Sequence, residues 1–241
     1  MSNTSIENKP TTEEQVSFTL SGILTGARKS IPIAISAFAT GLVFGVLARP
    51  AGLSLLEALL MSGLVFAGAS QFIALGLWMM PLPVGAIIFT TLIVNLRHML
   101  MGASISPWFS RLPAARAYAT LFFMTDESWA LLMGEFARGK RNAAFLLGSG
   151  LTLYSAWLSA ALVGRAFGNA LQDPSRWGLD FAFTAVFIAL LVGLWKGKGD
   201  ILPWVVAAIV AVAAAHWLPG KWYILLGALA GSLIGVLRHA D

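Results

Sequence analysis

From Ala143 to Gly164 the chain carries no charged side chain. Coiled as an α-helix at about 1.5 Å per residue, such a run is roughly 33 Å long. That is enough to cross the hydrocarbon layer of a bilayer, about 30 Å thick. A water-soluble fold has little room for it, because the segment has no polar face to turn outward. The same demand recurs along the sequence, with apolar runs at residues 30–48, 53–80, 83–106, 117–134, 143–166, 179–195, 201–218 and 222–237. These predict an all-α, polytopic transmembrane helical bundle of about eight spans.

Composition agrees. Of 241 residues, 58% are hydrophobic and 11% charged, against roughly 25% charged in soluble domains. The mean hydropathy is +0.79. The formal net charge of +5 resides largely in Lys and Arg that flank apolar runs, so it reads as a topology signal, not as a nucleic-acid surface. The sequence has no cysteine, which excludes disulfides, thiolate catalysis and Cys-ligated metal or iron–sulfur sites. It contains no HExxH, GxSxG or P-loop motif, so neither enzymatic activity nor a metal or cofactor is expected. Residues 1–20 are polar and lack the basic start and apolar core of a signal peptide. They are expected to form a disordered cytoplasmic tail ahead of a single transmembrane domain, residues 21–241.

Orientation follows from the basic residues. If Arg28 and Lys29 are cytoplasmic, eight crossings place Arg138, Lys140, Arg141, Lys196, Lys198 and Arg238 in the cytoplasm with both termini. Arg111 and Arg116 then fall outside, against the rule. A seven-span alternative makes 53–80 a re-entrant hairpin and moves both arginines inside. It sends Arg138, Lys140 and Arg141 outside unless 117–134 also fails to cross.

Two polar features interrupt the apolar background. Segment 53–80 is long for a straight span, and its centre reads GLVFAGASQF. Gly63, Gly68, Ser70 and Gln71 weaken the helix there. A break near residues 66–72 would free backbone groups for a ligand, as in many secondary transporters; the alternative is close helix packing through small residues. The second feature is TLIVNLRHMLMG, residues 91–102. Between Pro83 and Pro107 the only ionisable side chains are Arg97 and His98. On a helix, Thr90, Thr91, Asn95, Arg97, His98, Gly102, Ser104 and Ser106 share one broad face, which must look into protein. The following loop centres near residue 112, with Arg97 before it and Asp126 and Glu127 a similar distance after it. An Arg97–carboxylate pair with His98 beside it is therefore expected. It serves either to fix helix register or to handle substrate and protons.

Six stretches, IPIAISAFATGLVFGVLA, VFAGASQF, VNLRHMLMGASISPW, TDESWAL, GLDFAFTAVFIALL and LPGKWYILLGALAGSLIG, run in order from Ile31 to Gly235. With them the chain resembles the AzlC/YgaZ family, the large subunits of two-component branched-chain amino-acid exporters. The resemblance implies export of leucine, isoleucine and valine, with methionine a further candidate, across the cell membrane. It also implies a small membrane partner of the AzlD/YgaH type. A site for such a substrate needs an anion partner, a cation partner and an apolar pocket. Gly68, Ser70 and Gln71 backbone groups or Arg97 are candidates for the carboxylate. Asn95, Asp126 or Glu127 are candidates for the ammonium. Phe66, Phe72, Met99 and Met101 are candidates for the pocket. Arg97, His98, Asp126 and Glu127 form the candidate charge or proton relay. The competing reading is a non-transporting or ion-conducting membrane component in which this cluster is structural.

Overall fold

The computed structural model describes residues 16–167, 188, 192, 195, 197–218 and 222–239. The expected span 179–195 and the expected tail up to residue 15 lie, apart from residues 188, 192 and 195, outside this set. Among the described residues the secondary structure is helical, with one isolated bridge between Ser17 and Asn142. The helices are α1 (Leu20–Ala48), α2 (Leu55–Leu60), α3 (Gly68–Gly76), α4 (Val84–Phe109), α5 (Ala114–Phe122), α6 (Asp126–Ala137), α7 (Ala144–Phe167), α8 (Ile201–Trp217) and α9 (Trp222–His239). Helices α1, α4 and α7, and the helical run Lys198–Trp217 that contains α8, are long and apolar enough to cross a membrane. The chain divides into two compact units. The first holds residues up to 49, then 53–68 and 95–169; the second holds 50–52, 69–94 and 170–241.

The first unit is built on α1 and α7, which run parallel. A Cβ placed on Gly26 would strike the Phe145 carbonyl, one on Gly148 the Ile23 carbonyl, and one on Gly164 the Leu42 carbonyl. Backbone meets backbone along the length of both helices, as small residues permit in a membrane. Both helices therefore begin at one end of the unit. Asn142 ties those beginnings together: its amide bonds Thr19 Oγ1 at 2.7 Å and accepts from Ala144 N at 3.2 Å. Ser17, within the expected tail, donates its N–H to Arg141 O at 3.0 Å and accepts from Ala143 N at 2.9 Å.

Segment 117–134, expected as a single span, is instead two short helices. Helix α5 has 9 residues and α6 has 12, about 13 and 18 Å of rise. The break lies at Phe123–Thr125. Thr125 caps α6 in a reciprocal box with Ser128, and Asp126 and Glu127 occupy its first turn. The two pieces do not run on in line. At the start of α5, Arg116 lies over the Phe18 ring, 5.8 Å from its centroid. At the end of α6, Phe136 packs on Trp108 with ring centroids 4.6 Å apart. Phe18, Phe109, Ala117, Phe136 and Ala143 share one apolar cluster. Both ends of 114–137 thus meet the beginnings of α1 and α7, so the segment enters from that end and returns to it.

Segment 53–68 enters from the other end. Arg165, near the close of α7, donates through Nε and Nη2 to Leu53 O at 3.2 and 2.9 Å. Ser54 and Glu57 form a capping box that starts α2, which continues as a π turn over Met61–Val65. Tyr154, eleven residues earlier on α7 than Arg165, donates to Gly63 O at 3.2 Å. The chain has by then descended to the middle of α7. It turns at Phe66, whose φ of 43° and ψ of 44° are left-handed. Gly68 then faces Trp157, three residues back toward the end from which the segment came. The break expected near residues 66–72 is present, at Phe66 and Ala67.

The second unit contains the α8–α9 hairpin. Gly227 packs on Ala207 and Ala211, and Gly231 on Ala207 and Pro203, so the helices are antiparallel. The small residues of GALAGSLIG, which suit contact with another protein, here pack α9 against α8.

At the basic end of the first unit, Glu135 holds three cations. Lys29 Nζ lies at 2.6 Å, Arg138 Nη1 at 3.1 Å and Lys140 Nζ at 3.8 Å, around a carboxylate side chain that is 6% exposed. The Lys29 hydrogen bond holds its carboxyl below the ordinary 4.5. Its stabilisation is therefore fully present above that value and is lost as pH falls through the lower folded-state pKa. Thermal unfolding in detergent between about pH 7 and pH 3 should show the wild type converging on Glu135→Gln at the acid end. Parallel curves for the two proteins would contradict this.

Candidate functional site

Arg97 Nη1 lies 2.6 Å from Asp126 Oδ2. The pairing follows from where each helix puts its residue. Arg97 precedes the end of α4 by twelve residues, about 18 Å. Asp126 opens α6 at the tip of the re-entrant segment, about 16 Å from that helix's other end. Both are near mid-depth. Helices α4 and α6 run parallel here, since Trp129 Nε1 donates to Ser104 Oγ at 2.9 Å and Phe136 meets Trp108 further along. The expected antiparallel arrangement is thus replaced: α5 makes the antiparallel pass and α6 returns beside α4. The depth match survives because turning back leaves Asp126 at the level it had reached.

The side chains of Arg97 and Asp126 are 37% and 41% exposed within their own chain. Arg97 Nε has no hydrogen-bond partner among the described residues. His98 is half-buried, and its ring hydrogen-bonds the backbone of Asn95. It lies within electrostatic reach of Asp126 and Glu127. Glu127 is exposed and makes no ion pair among the described residues. Asp126 is therefore the carboxylate that Arg97 takes. A charge pair left open at mid-depth cannot face hydrocarbon without a large penalty. It must face an aqueous path or another protein.

The other expected site residues divide between the units. Gly68 belongs to the first, where a Cβ would lie 3.0 Å from Trp157 Cη2. Ser70 and Gln71 lie on α3 in the second unit, each 1% exposed. Phe66 and Met101 are buried in the first unit and Phe72 in the second, whereas Met99 is 70% exposed. Tyr154 was not singled out by the sequence. Its ring stands edge-on to Phe66 at 5.0 Å and to Phe123 at 5.2 Å, so it touches the turn that ends segment 53–68 and the tip of the re-entrant segment 114–137. The one signal for it is a lone phenol in a span with no charged side chain from Ala143 to Gly164, and a phenol in such a span ordinarily seeks a hydrogen-bond partner.

The family model described as AzlC protein matches residues 32–171. An uncharacterized membrane protein of Archaeoglobus fulgidus is 35% identical over 171 residues, covering 70% of this chain and 74% of that one. The inner membrane protein YgaZ of Escherichia coli is 28% identical over 220 residues, 89% of this chain and 88% of its own. The branched-chain amino acid transport protein AzlC of Bacillus subtilis is 26% identical over 222 residues, 90% and 86%. No solved structure matches. The matched region takes in α1 from Pro32 on, the break at Phe66, the re-entrant segment 114–137, the Arg97–Asp126 pair and α7, and on these grounds the chain belongs to the AzlC/YgaZ family of membrane transport proteins.

Proposed function

We propose that the protein is the large subunit of a two-component exporter of branched-chain amino acids in the cell membrane. The observation that carries this reading is the open Arg97–Asp126 pair at a re-entrant tip. A zwitterionic amino acid can replace that pair charge for charge. Its carboxylate takes the guanidinium, its ammonium takes Asp126, and the net charge at depth stays zero. Little electrostatic penalty is then added by substrate, while its apolar side chain suits Phe123 and Met124, which precede Asp126 in the same tip. His98 is positioned to accept or release a proton beside the pair, consistent with coupling to a proton gradient. Glu127, exposed beside Asp126, is a secondary ammonium or proton partner. The relative from Bacillus subtilis, named a branched-chain amino acid transport protein, supports the substrate class.

The positive-inside rule places the basic end of the first unit in the cytoplasm. Arg28, Lys29, Arg116, Arg138, Lys140 and Arg141 all lie there because 114–137 turns back. The N-terminus is then cytoplasmic, and the same rule assigns the C-terminus, with Arg238 beside it, to the cytoplasm. The flank of the Arg97–Asp126 pair that the described residues of the first unit leave uncovered is the surface we assign to the small partner of the AzlD/YgaH type.

Counterflow of labelled leucine, isoleucine and valine in proteoliposomes, with and without the small partner, tests the proposal. Exchange is expected with both subunits together and little with this chain alone. A pH-dependent ion conductance without amino-acid exchange would favour the ion-conducting reading instead.

A further inference from the structure

Tyr154 lies ten residues into α7, about 15 Å from its first residue, close to the middle of a helix of 24 residues. Two chain segments reach it there, one from each end of the unit. From one side comes Phe66, edge-on at 72° with centroids 5.0 Å apart. From the other comes Phe123, edge-on at 87° and 5.2 Å. The Tyr154 hydroxyl adds a hydrogen bond to the Gly63 carbonyl, inside the π turn that leads into the first tip. Such turns concentrate at functional sites.

The backbone at the first tip is strained. Phe66 holds a left-handed conformation, with φ at 43°, that a bulky side chain seldom adopts without being held. Its ring is 8% exposed, and Tyr154 is one of the groups that hold it. At the second tip α7 approaches main chain to main chain: a Cβ on Gly150 would strike the Phe123 carbonyl. The tip that carries Phe123 also carries Asp126. Movement at Tyr154 is therefore felt at the ion pair through three residues of backbone.

We infer that Tyr154 is a positioning residue of the transport cycle, a clasp that holds the two oppositely entering tips together and keeps the path between them closed. This rests on the transport reading above. Opening requires both edge-on ring contacts to separate, so the two tips move as one gate.

The test uses the natural absence of cysteine. Met124, 6% exposed at the second tip, is replaced by cysteine as a reporter, and its reaction with a membrane-impermeant maleimide is followed in vesicles. Tyr154→Leu keeps an apolar side chain but loses both ring contacts, which shifts a closed–open equilibrium by about tenfold. Labelling should rise by about that factor, and counterflow turnover should fall by about tenfold while KM changes less than about threefold. Tyr154→Phe keeps the rings but loses the hydroxyl's bond to Gly63 O, and should fall between wild type and Tyr154→Leu in both readouts. Should Tyr154→Leu fail to fold, Phe123→Leu removes one contact from the opposite partner and should raise labelling in the same direction. Unchanged labelling in these variants, or lost turnover with unchanged labelling, would overturn the clasp. Labelling needs no substrate, so an absence of amino-acid counterflow in the wild type would sink the transport reading and still leave the clasp decided.

Discussion

Replacing Gly148 with leucine is expected to remove nearly all folded protein from the membrane. The first atom of any side chain there meets main chain. A Cβ would strike the Ile23 carbonyl oxygen and lie 2.6 Å from its carbon and 2.7 Å from its Cα. A side chain could rotate away; the backbone of α1 cannot. Helices α1 and α7 would have to part along the contact that also carries Gly26 and Gly164. Overpacking costs about 1–3 kcal/mol where neighbours yield, and more where they cannot; with backbone on both sides the cost lies beyond that range. Total stability is commonly only about 5–15 kcal/mol. Gly134→Leu is the matched control, since a Cβ there meets nothing within 4 Å. Size-exclusion profiles of detergent extracts should show folded Gly134→Leu and little Gly148→Leu. Equal yields would mean that α1 and α7 do not pack in this register.

The second large effect concerns the mid-depth ion pair. Arg97→Ala leaves Asp126 without its cation, and Asp126→Ala does the reverse. An unpaired charge at the centre of a membrane costs about 2.5–3.5 kcal/mol on insertion scales, about a hundredfold in the folding or insertion equilibrium. Both single variants should lose yield and export together. The neutral double variant Arg97→Met with Asp126→Asn removes the unpaired charge and should recover yield. If the pair receives a zwitterion, that variant folds and does not export. Wild-type export by the double variant would reduce the pair to a structural role.

The ion pair was legible from residue counting because distance from a loop measures depth whichever way the chain later turns. Equal counts either side of residue 112 put Arg97 and Asp126 at one level. They did not say that the helix carrying Asp126 starts there and runs back. Hydropathy alone does not place such a turn: Asp126 and Glu127 make 117–134 the weakest of the expected spans, but its break, FFMT, has no glycine or proline. Two signals were nevertheless present. Thr125-Asp-Glu-Ser128 is a helix start, with a capping residue and an acidic first turn, placed in the middle of a supposed span. Arg111 and Arg116 also violate the charge rule under eight crossings, and a 114–137 that returns to the end it left puts them on the same side as Arg138, Lys140 and Arg141, which the count allows only if 53–80 does not cross either. The break at Phe66 was legible from the glycine-rich centre of its segment, although the turn falls on a phenylalanine. Tyr154 was not legible, because its importance comes from two segments distant in sequence that converge on it.

The account depends most on segment 114–137 entering and leaving by the same end. The chain's lack of cysteine permits a direct measurement, with single cysteines at Ser110, Lys140 and Arg49 reacted with an impermeant maleimide in right-side-out and inverted vesicles. Ser110 and Lys140 flank the re-entrant segment, and Arg49 caps the far end of α1. The account predicts that Ser110→Cys and Lys140→Cys react from one face, the cytoplasmic one, and that Arg49→Cys reacts from the other. Labelling of Ser110→Cys and Lys140→Cys from opposite faces would mean that the segment crosses the membrane, and would contradict it.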